Sequence, residues 1–297
     1  MTARAVEVTN AEKLLWPAAG ITKQRYVDYL AAVTDRMLPW LRDRPLSLVR
    51  APDGVEGERY FQKNTPRYAP DWIRTVTIPA PSAKRDVAYT VCNDAETLAW
   101  LGNQAALEFH PAPVRRDRLE RPDLLTVDID PPDGAFDAAV EVALLVLEVT
   151  DDLGLATLVK TTGGKGLHVV APIRRDVTAG QLRRAADRLT AIVQERRPDL
   201  VTAEFRKTDR HGKVMLDPSR NSTGATVVAP YSPRARDDAA VSFPVAPDEL
   251  RSIEPGAYTV ATVPALLGGR GPSGWTAFED RAGQRLPRLL VDPDRRV

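Results

Sequence analysis

Leu124-Leu125-Thr126-Val127-Asp128-Ile129-Asp130-Pro131-Pro132 is the stretch on which the fold and the chemistry both turn. An apolar run ends in two aspartates spaced by one residue, and two prolines close it, the pattern of a buried strand. Successive strand residues point to opposite faces, so Asp128 and Asp130 share one face while Val127 and Ile129 enter the core. Adjacent carboxylates repel unless a divalent cation neutralises them, and an oxygen-only donor set favours Mg²⁺ or Mn²⁺ over zinc. The plain alternative is a strand end whose aspartates are solvated, because Asp-x-Asp is a short and common string.

Outward from this strand the pattern is mixed. Downstream, the spacing predicts a helix over Phe136–Val149 and a hairpin of Leu155–Lys160 with Leu167–Ala171 across a Gly-rich turn. A helix over about Ala179–Glu195 follows, then strands near Val201–Arg206, Lys213–Leu216 and Ala225–Ala229. Upstream, Thr22 caps a helix over about 23–38, with Tyr26, Tyr29, Leu30, Val33 and Met37 at helical spacing. Short strands are expected at Leu46–Arg50, Arg59–Lys63, Ile73–Ile78 and Val87–Val91, and Asp94 caps a helix running to about Ala106. The tail after Pro230, rich in proline and charge, is expected to wrap the surface. The fold class is α+β, with mixed or antiparallel sheets flanked by helices.

Composition restricts the partners only loosely. Net charge is +1, from 41 Lys+Arg against 40 Asp+Glu, whereas a protein that simply coats nucleic acid is far more basic. Acids clustered at a metal site with arginines lining a groove elsewhere would give the same balance. No apolar run approaches a membrane span, the N-terminus lacks a secretion signal, and a lone Cys92 forms no internal disulfide. A cytoplasmic, nucleoid-associated location and no membrane partner are the resulting expectations, and nothing demands more than a monomer.

Three further segments carry chemistry. Lys213-Val214-Met215-Leu216-Asp217 again runs apolar residues into an acid, and three carboxylates from two neighbouring strands could hold two cations for in-line phosphoryl displacement. A turn aspartate before Pro218 is the alternative. Lys160-Thr161-Thr162-Gly163-Gly164-Lys165-Gly166-Leu167-His168 offers glycine amides, the Thr162 hydroxyl and the Lys165 cation to an anion, with His168 next along the strand. It lacks the Gly-Lys-[Ser/Thr] of a P-loop, and a glycine-rich hairpin turn explains the glycines alone. Arg206 to Lys213 gathers cations ahead of Asp217; Arg210 is the one read as phosphate-facing, and Arg234 is a weaker case of the same kind.

In this order and spacing, the segments resemble the archaeo-eukaryotic primase superfamily, specifically the polymerase domain of bacterial ligase D. The likeness covers essentially the whole chain. It begins at Glu12-Lys13-Leu14-Leu15-Trp16-Pro17 and passes Phe61-Gln62-Lys63-Asn64 and Gly102 to His110. It ends beyond Asp217 at Ala229-Pro230-Tyr231-Ser232. The resemblance implies one primase-polymerase domain over 1–297 with an RRM-like catalytic core. Its parts would be a DNA-contacting region of about 1–105, a core of about 106–235 and a wrap of about 236–297.

The same resemblance implies roles by position. Asp128, Asp130 and Asp217 hold two Mn²⁺ or Mg²⁺ ions; Thr162, Lys165, His168 and Arg210 grip the triphosphate of an NTP or dNTP. His110 lies near the ribose, with Arg234 and Arg50 as further triphosphate contacts. Lys13 and Lys23 match a pocket for the 5′-phosphate at a DNA gap or break, and Phe61 and Lys63 match template contacts. Ribonucleotide preference and gap filling in end joining would follow, while primase activity and work beside Ku and a separate ligase stay open at this point. Family members often carry Phe-Phe where Tyr60-Phe61 stands here and serine at Thr162, both changes preserving the chemistry. No Lys-x-Asp-Gly adenylation motif occurs, so a stand-alone paralogue or an excised domain is implied. Two rivals are a catalytically silent DNA-end-binding module and a Mn²⁺-dependent nucleotide-sugar glycosyltransferase.

Overall fold

Thr22 leaves the extended conformation and its hydroxyl accepts the Arg25 amide, so helix α1 (Lys23–Leu41) starts where a capping residue precedes the helical stripe. The computed structural model describes residues 6–80, 85–254, 256–269 and 283–291. The chain divides into two compact units. Unit 1 comprises Met1–Asp117, Thr226–Ser242 and Gly256–Gly271; unit 2 comprises Arg118–Ala225, Phe243–Pro255 and Pro272–Val297.

In unit 1 a short ribbon of β1 (Leu14–Trp16) and β2 (Ile21–Thr22) leads into α1, whose Tyr26, Tyr29, Leu30, Val33 and Met37 are buried. A five-stranded antiparallel sheet follows, built from β3 (Leu46–Arg50), β4 (Tyr60–Gln62), β5 (Thr75–Ala80), β6 (Arg85–Thr90) and β7 (Ala106–Pro111). Helix α2 (Ala95–Asn103), capped by Asp94, packs on α1. It ends earlier than the expected Ala106. Ala105 adopts a left-handed φ of 52°, which turns the chain so that Ala106 opens β7, a strand absent from the sequence expectation. In β7 the alternation buries Leu107 and Phe109 in the core and puts Glu108 and His110 on the other face. The two-residue strand β8 (Val114–Arg115) comes next in the chain.

Unit 2 opens with β9 (Arg118–Pro122) and is built on a six-stranded sheet. Its strands are β10 (Leu124–Asp130), β11 (Leu158–Thr161), β12 (Leu167–Pro172), β13 (Val201–Thr202), β14 (Val214–Asp217) and β15 (Pro244–Val245). They lie in the order β13-β14-β10-β12-β11-β15, and only the β13–β14 pair is parallel. Helices α3 (Phe136–Asp152) and α4 (Ala179–Arg196) pack on this sheet and on each other, and α4 opens with a capping box of Thr178 and Gln181. Val127 and Ile129 of β10 lie opposite Val169 and Leu167 of β12, all buried. Burying such side chains is worth about 1.5–3 kcal/mol each, which is what holds β10 in the centre of the sheet.

The strand expected at Ala225–Ala229 does not form. Val227 and Ala229 donate amides to the carbonyls of Pro111 and Phe109, but Pro230 has no amide to continue a ladder. The tail also does more than wrap the surface. Tyr231, Ser232, Val241 and Phe243 are buried, β15 completes a sheet, and Val263–Gly269 forms a helix against α1. The tail's positions 255, 270–282 and 292–297 lie outside the described residues. No helix among the described residues is long and apolar enough to cross a membrane.

Candidate active site

Strand register assembles the site in unit 2. Asp128 in β10 stands directly opposite Asp217 in β14 on one side and His168 in β12 on the other, and His168 stands opposite Lys160 in β11. Directly paired residues share a face, so Lys160, His168, Asp128 and Asp217 form one row across four strands. Asp130, two residues past Asp128, falls on the same face.

Each acid is met by a cation. Arg220 Nε donates to Asp128 Oδ2 at 2.8 Å and lies 3.5 Å from Asp217 Oδ2. Arg210 Nη1 donates to Asp130 Oδ2 at 2.8 Å, while its other nitrogens hold the Glu204 and Phe205 carbonyls. Lys165 Nζ lies 3.4 Å from Asp130 and 3.1 Å from Asp133. Burial would raise the Asp128 carboxyl, but the facing His168 and Arg220 outweigh it and hold the group well below the usual carboxylate range.

His168 is buried, and its pKa falls to about 4, through burial first and the Lys160 charge second, against the pull of Asp128. An ammonium can only donate, so Lys160 Nζ gives its hydrogen bond, 2.9 Å long, to His168 Nδ1. The neutral ring then carries its proton on Nε2, which faces Asp128 Oδ1 at 3.3 Å.

The turn behind Arg220 is local chemistry. Asp217 Oδ1 accepts the Ser219 amide and Pro218 begins a 3₁₀ turn over Pro218–Asn221, which brings Arg220 back over the acids. Asn221 then bonds both the amide and the carbonyl of Thr126, completing the β10 edge where β14 stops. The glycine loop departs from expectation. The amides of Gly164 and Gly166 are turned onto the Thr162 hydroxyl. Gly166 is needed because a Cβ there would collide with the Ile129 carbonyl.

The remaining candidates lie in unit 1. Lys13 bonds Asp53 at 2.7 Å; Lys23 reaches Asn103 and Thr9, and its pKa is lowered by burial and by the charge of Lys13. Two lysines within each other's field make a place that an anion would relieve. Phe61 is 54% exposed, with Lys63 Nζ 5.9 Å from its ring centre and His110 edge-on to it at 5.9 Å. Arg50 holds the Gln104 carbonyl, Gln62 and the Tyr68 hydroxyl. His110 and Arg234 converge on buried Glu108, whose Oε2 lies 2.8 Å from His110 Nε2 and 3.1 Å from Arg234 Nε; its Oε1 accepts the Ala235 amide at 2.9 Å. Burial opposes ionisation of Glu108, but the His110 bond, the Arg234 charge and the Ala235 amide outweigh it and lower its pKa to about 2.

Lys160, Arg220 and Glu108 are among the residues of these clusters to which the sequence alone assigns no role. Hairpin arithmetic could have found Lys160, since a turn centred on Gly164 places 160 opposite 168. The Asp217-Pro218-Ser219-Arg220 turn could have found Arg220. Glu108 had no local signal once β7 was missed. Among the described residues no three His, Cys, Asp or Glu side chains already form a metal cage. The donor set nonetheless suits a hard divalent cation: Asp128 and Asp217 are carboxylates in register, spanned by the positive Arg220, and Asp130 lies two residues along the same face.

This fold and acid-bearing sheet belong to a class of nucleotide-transferring enzymes. The family model for the LigD primase-polymerase domain matches residues 22–272. The multifunctional non-homologous end joining protein LigD of Mycolicibacterium smegmatis is 35% identical over 255 residues, covering 84% of this chain and 33% of that protein. The bifunctional LigD of Bacillus subtilis is 31% identical over 261 residues, covering 87% and 42%. Among solved structures, the polymerase domain of Mycobacterium tuberculosis ligase D in complex with DNA superposes with a TM-score of 0.83 at 30% identity. It covers 99% of this chain and 100% of that one. The chain therefore belongs to the LigD primase-polymerase domain family, a family of metal-dependent polymerase-type nucleotidyltransferases. It spans between a third and somewhat over two-fifths of the length of these two curated relatives.

Proposed function

We propose that the protein extends DNA primers across short gaps at broken ends, with a preference for ribonucleotides and with Mn²⁺ or Mg²⁺ held by Asp128, Asp130 and Asp217. The observation that carries this reading is the pairing of Asp128 with Asp217, with Asp130 two residues further along the same face. Bound divalent cations supply activation of the primer hydroxyl and neutralisation of the pyrophosphate leaving group. The chain's own contribution is placement of charge. Arg220, Arg210 and Lys165 balance the acids, and Lys160 keeps the His168 proton on the nitrogen facing Asp128.

Thr162, Lys165, His168 and Arg210 are assigned to the triphosphate. His110, Arg234 and Arg50 are assigned to the nucleotide on the strength of the family likeness. Lys13 and Lys23 are assigned to a 5′-phosphate, which their mutual repulsion supports. Phe61 and Lys63 are assigned to the template, which the exposed ring supports through stacking. The relatives' names connect the protein to end joining, where Ku and a ligase are the expected partners.

The test is extension of a labelled primer on a gapped duplex, with and without a 5′-phosphate, in Mn²⁺ or Mg²⁺, with rNTPs or dNTPs. Extension that is strengthened by the 5′-phosphate and by rNTPs, and abolished in Asp128→Ala, supports the reading. DNA binding without extension under any of these conditions would replace it with a silent end-binding module.

A further inference from the structure

We infer that Glu108 is a positioning residue that fixes the tautomer of His110 and the setting of Arg234, so that the pair presents a hydrogen-bond acceptor beside a cation to a ligand bearing a hydroxyl and an anionic group. The nucleotide as that ligand rests on the function proposed above; the hold on His110 does not.

Donors and acceptors decide the tautomer. Glu108 is buried in β7, and its carboxylate faces His110 Nε2, Arg234 Nε and the Ala235 amide. A carboxylate can only accept, and the other two partners can only donate. His110 must therefore also donate through Nε2. In the neutral ring the proton is then on Nε2, and Nδ1 keeps a bare lone pair. That lone pair accepts from a hydroxyl and offers nothing to a ligand lacking one, so the sugar of a ribonucleotide suits it better than that of a deoxyribonucleotide. Glu108 and His110 are i and i+2 on one strand, so the geometry is rigid. Arg234 is anchored at its backbone too, its carbonyl accepting from Trp16 Nε1 at 3.2 Å.

Glu108→Gln tests this with almost no change in shape. An amide has one oxygen where the carboxylate had two. If that oxygen stays on the Ala235 amide, the NH₂ group faces His110 and drives the ring proton to Nδ1. The chain has three histidines, His110, His168 and His211, so ¹⁵N spectra of histidine-labelled protein are assignable by single substitutions.

The wild type at alkaline pH should show an unprotonated Nδ1 and a protonated Nε2 at His110, and Glu108→Gln should reverse or mix them. In primer extension, the variant's KM for rNTP should rise about tenfold with kcat changed less than about threefold, and its preference for rNTP over dNTP should shrink. Glu108→Gln added to His110→Ala should cost little more than His110→Ala alone. A wild-type ring protonated on Nδ1 would overturn the inference without any variant, and so would a Glu108→Gln protein with unaltered tautomer and KM. Tautomer reversal in a wild type and variant that both fail to extend any primer would support Glu108's hold on His110 and remove the nucleotide reading instead.

Discussion

The two candidate regions, the acid-bearing sheet of unit 2 and the aromatic and lysine surface of unit 1, handle charge differently. In unit 2, ionisable groups are drawn into a sheet and answered one by one: Lys160 by His168, Asp128 by His168 and Arg220, Asp130 by Arg210 and Lys165. In unit 1, Phe61, Tyr60 and Tyr68 stand exposed, and Lys13 and Lys23 lie within each other's field. On the function proposed above, the contrast follows from what each would have to do. Chemistry on a triphosphate needs charges already placed in a low dielectric, so that nothing reorganises during reaction. Holding a polyanion with stacked bases needs open aromatic faces and cations without saturated partners.

The largest effect expected separates these roles directly. Asp128→Ala should lower extension by about 10³-fold or more while leaving duplex affinity within about threefold. Phe61→Ala should do the reverse, weakening duplex binding by about 5–100-fold with the single-turnover rate of the bound complex nearly kept. Titrated binding and rapid-quench extension on both variants check this, and equal losses in both would erase the division of labour.

The pH dependence of stability sharpens the unit 2 side. The unfolded His168 ring titrates near 6.5 and the folded one at about 4, so the unfolded chain takes up this proton first as pH falls. Stability from this group is therefore flat above pH 6.5, declines from there to about pH 4, and is flat again below. The decline amounts to roughly 3 kcal/mol, and His168→Gln should remove it from urea unfolding curves recorded with a chelator present.

Lys160→Met should lower extension by about 10–100-fold, because His168 loses the donor that sets its tautomer. Its melting temperature should hold or rise, since a buried charge is replaced by an apolar chain of similar length. A drop in both, measured by calorimetry and extension, would make Lys160 a structural residue. The smallest effect is expected at Arg197, which pairs with Glu141 and Asp199 at the solvated surface. Arg197→Ala should leave melting and extension within experimental scatter.

Much of this was legible in the chain. The stripe of α1 with its Thr22 cap, the β10 strand and the α4 pattern follow local periodicity, and they stand where that periodicity placed them. The failures are equally physical. A positive φ at Ala105 carries no sequence signature, so α2 was expected to run longer than it does and β7 was lost, taking Glu108 with it. The glycines of 163–166 suggested amides bared to an anion, whereas two of the loop's amides turn onto Thr162 and Gly166 is small so that β10 can approach.

By itself, the sequence determined which residue types alternate on each strand, and so which face Asp128 and Asp130 share, and the order of motifs that marks the family. Only the tertiary structure decided that Asp217 lies opposite Asp128, that Lys160 and His168 extend the same row, and that Glu108 gathers His110 and Arg234. The reason is that alternation is a property of one strand, whereas register is a property of two. Strands far apart in the chain can slide past one another until the packing of both faces selects a single pairing.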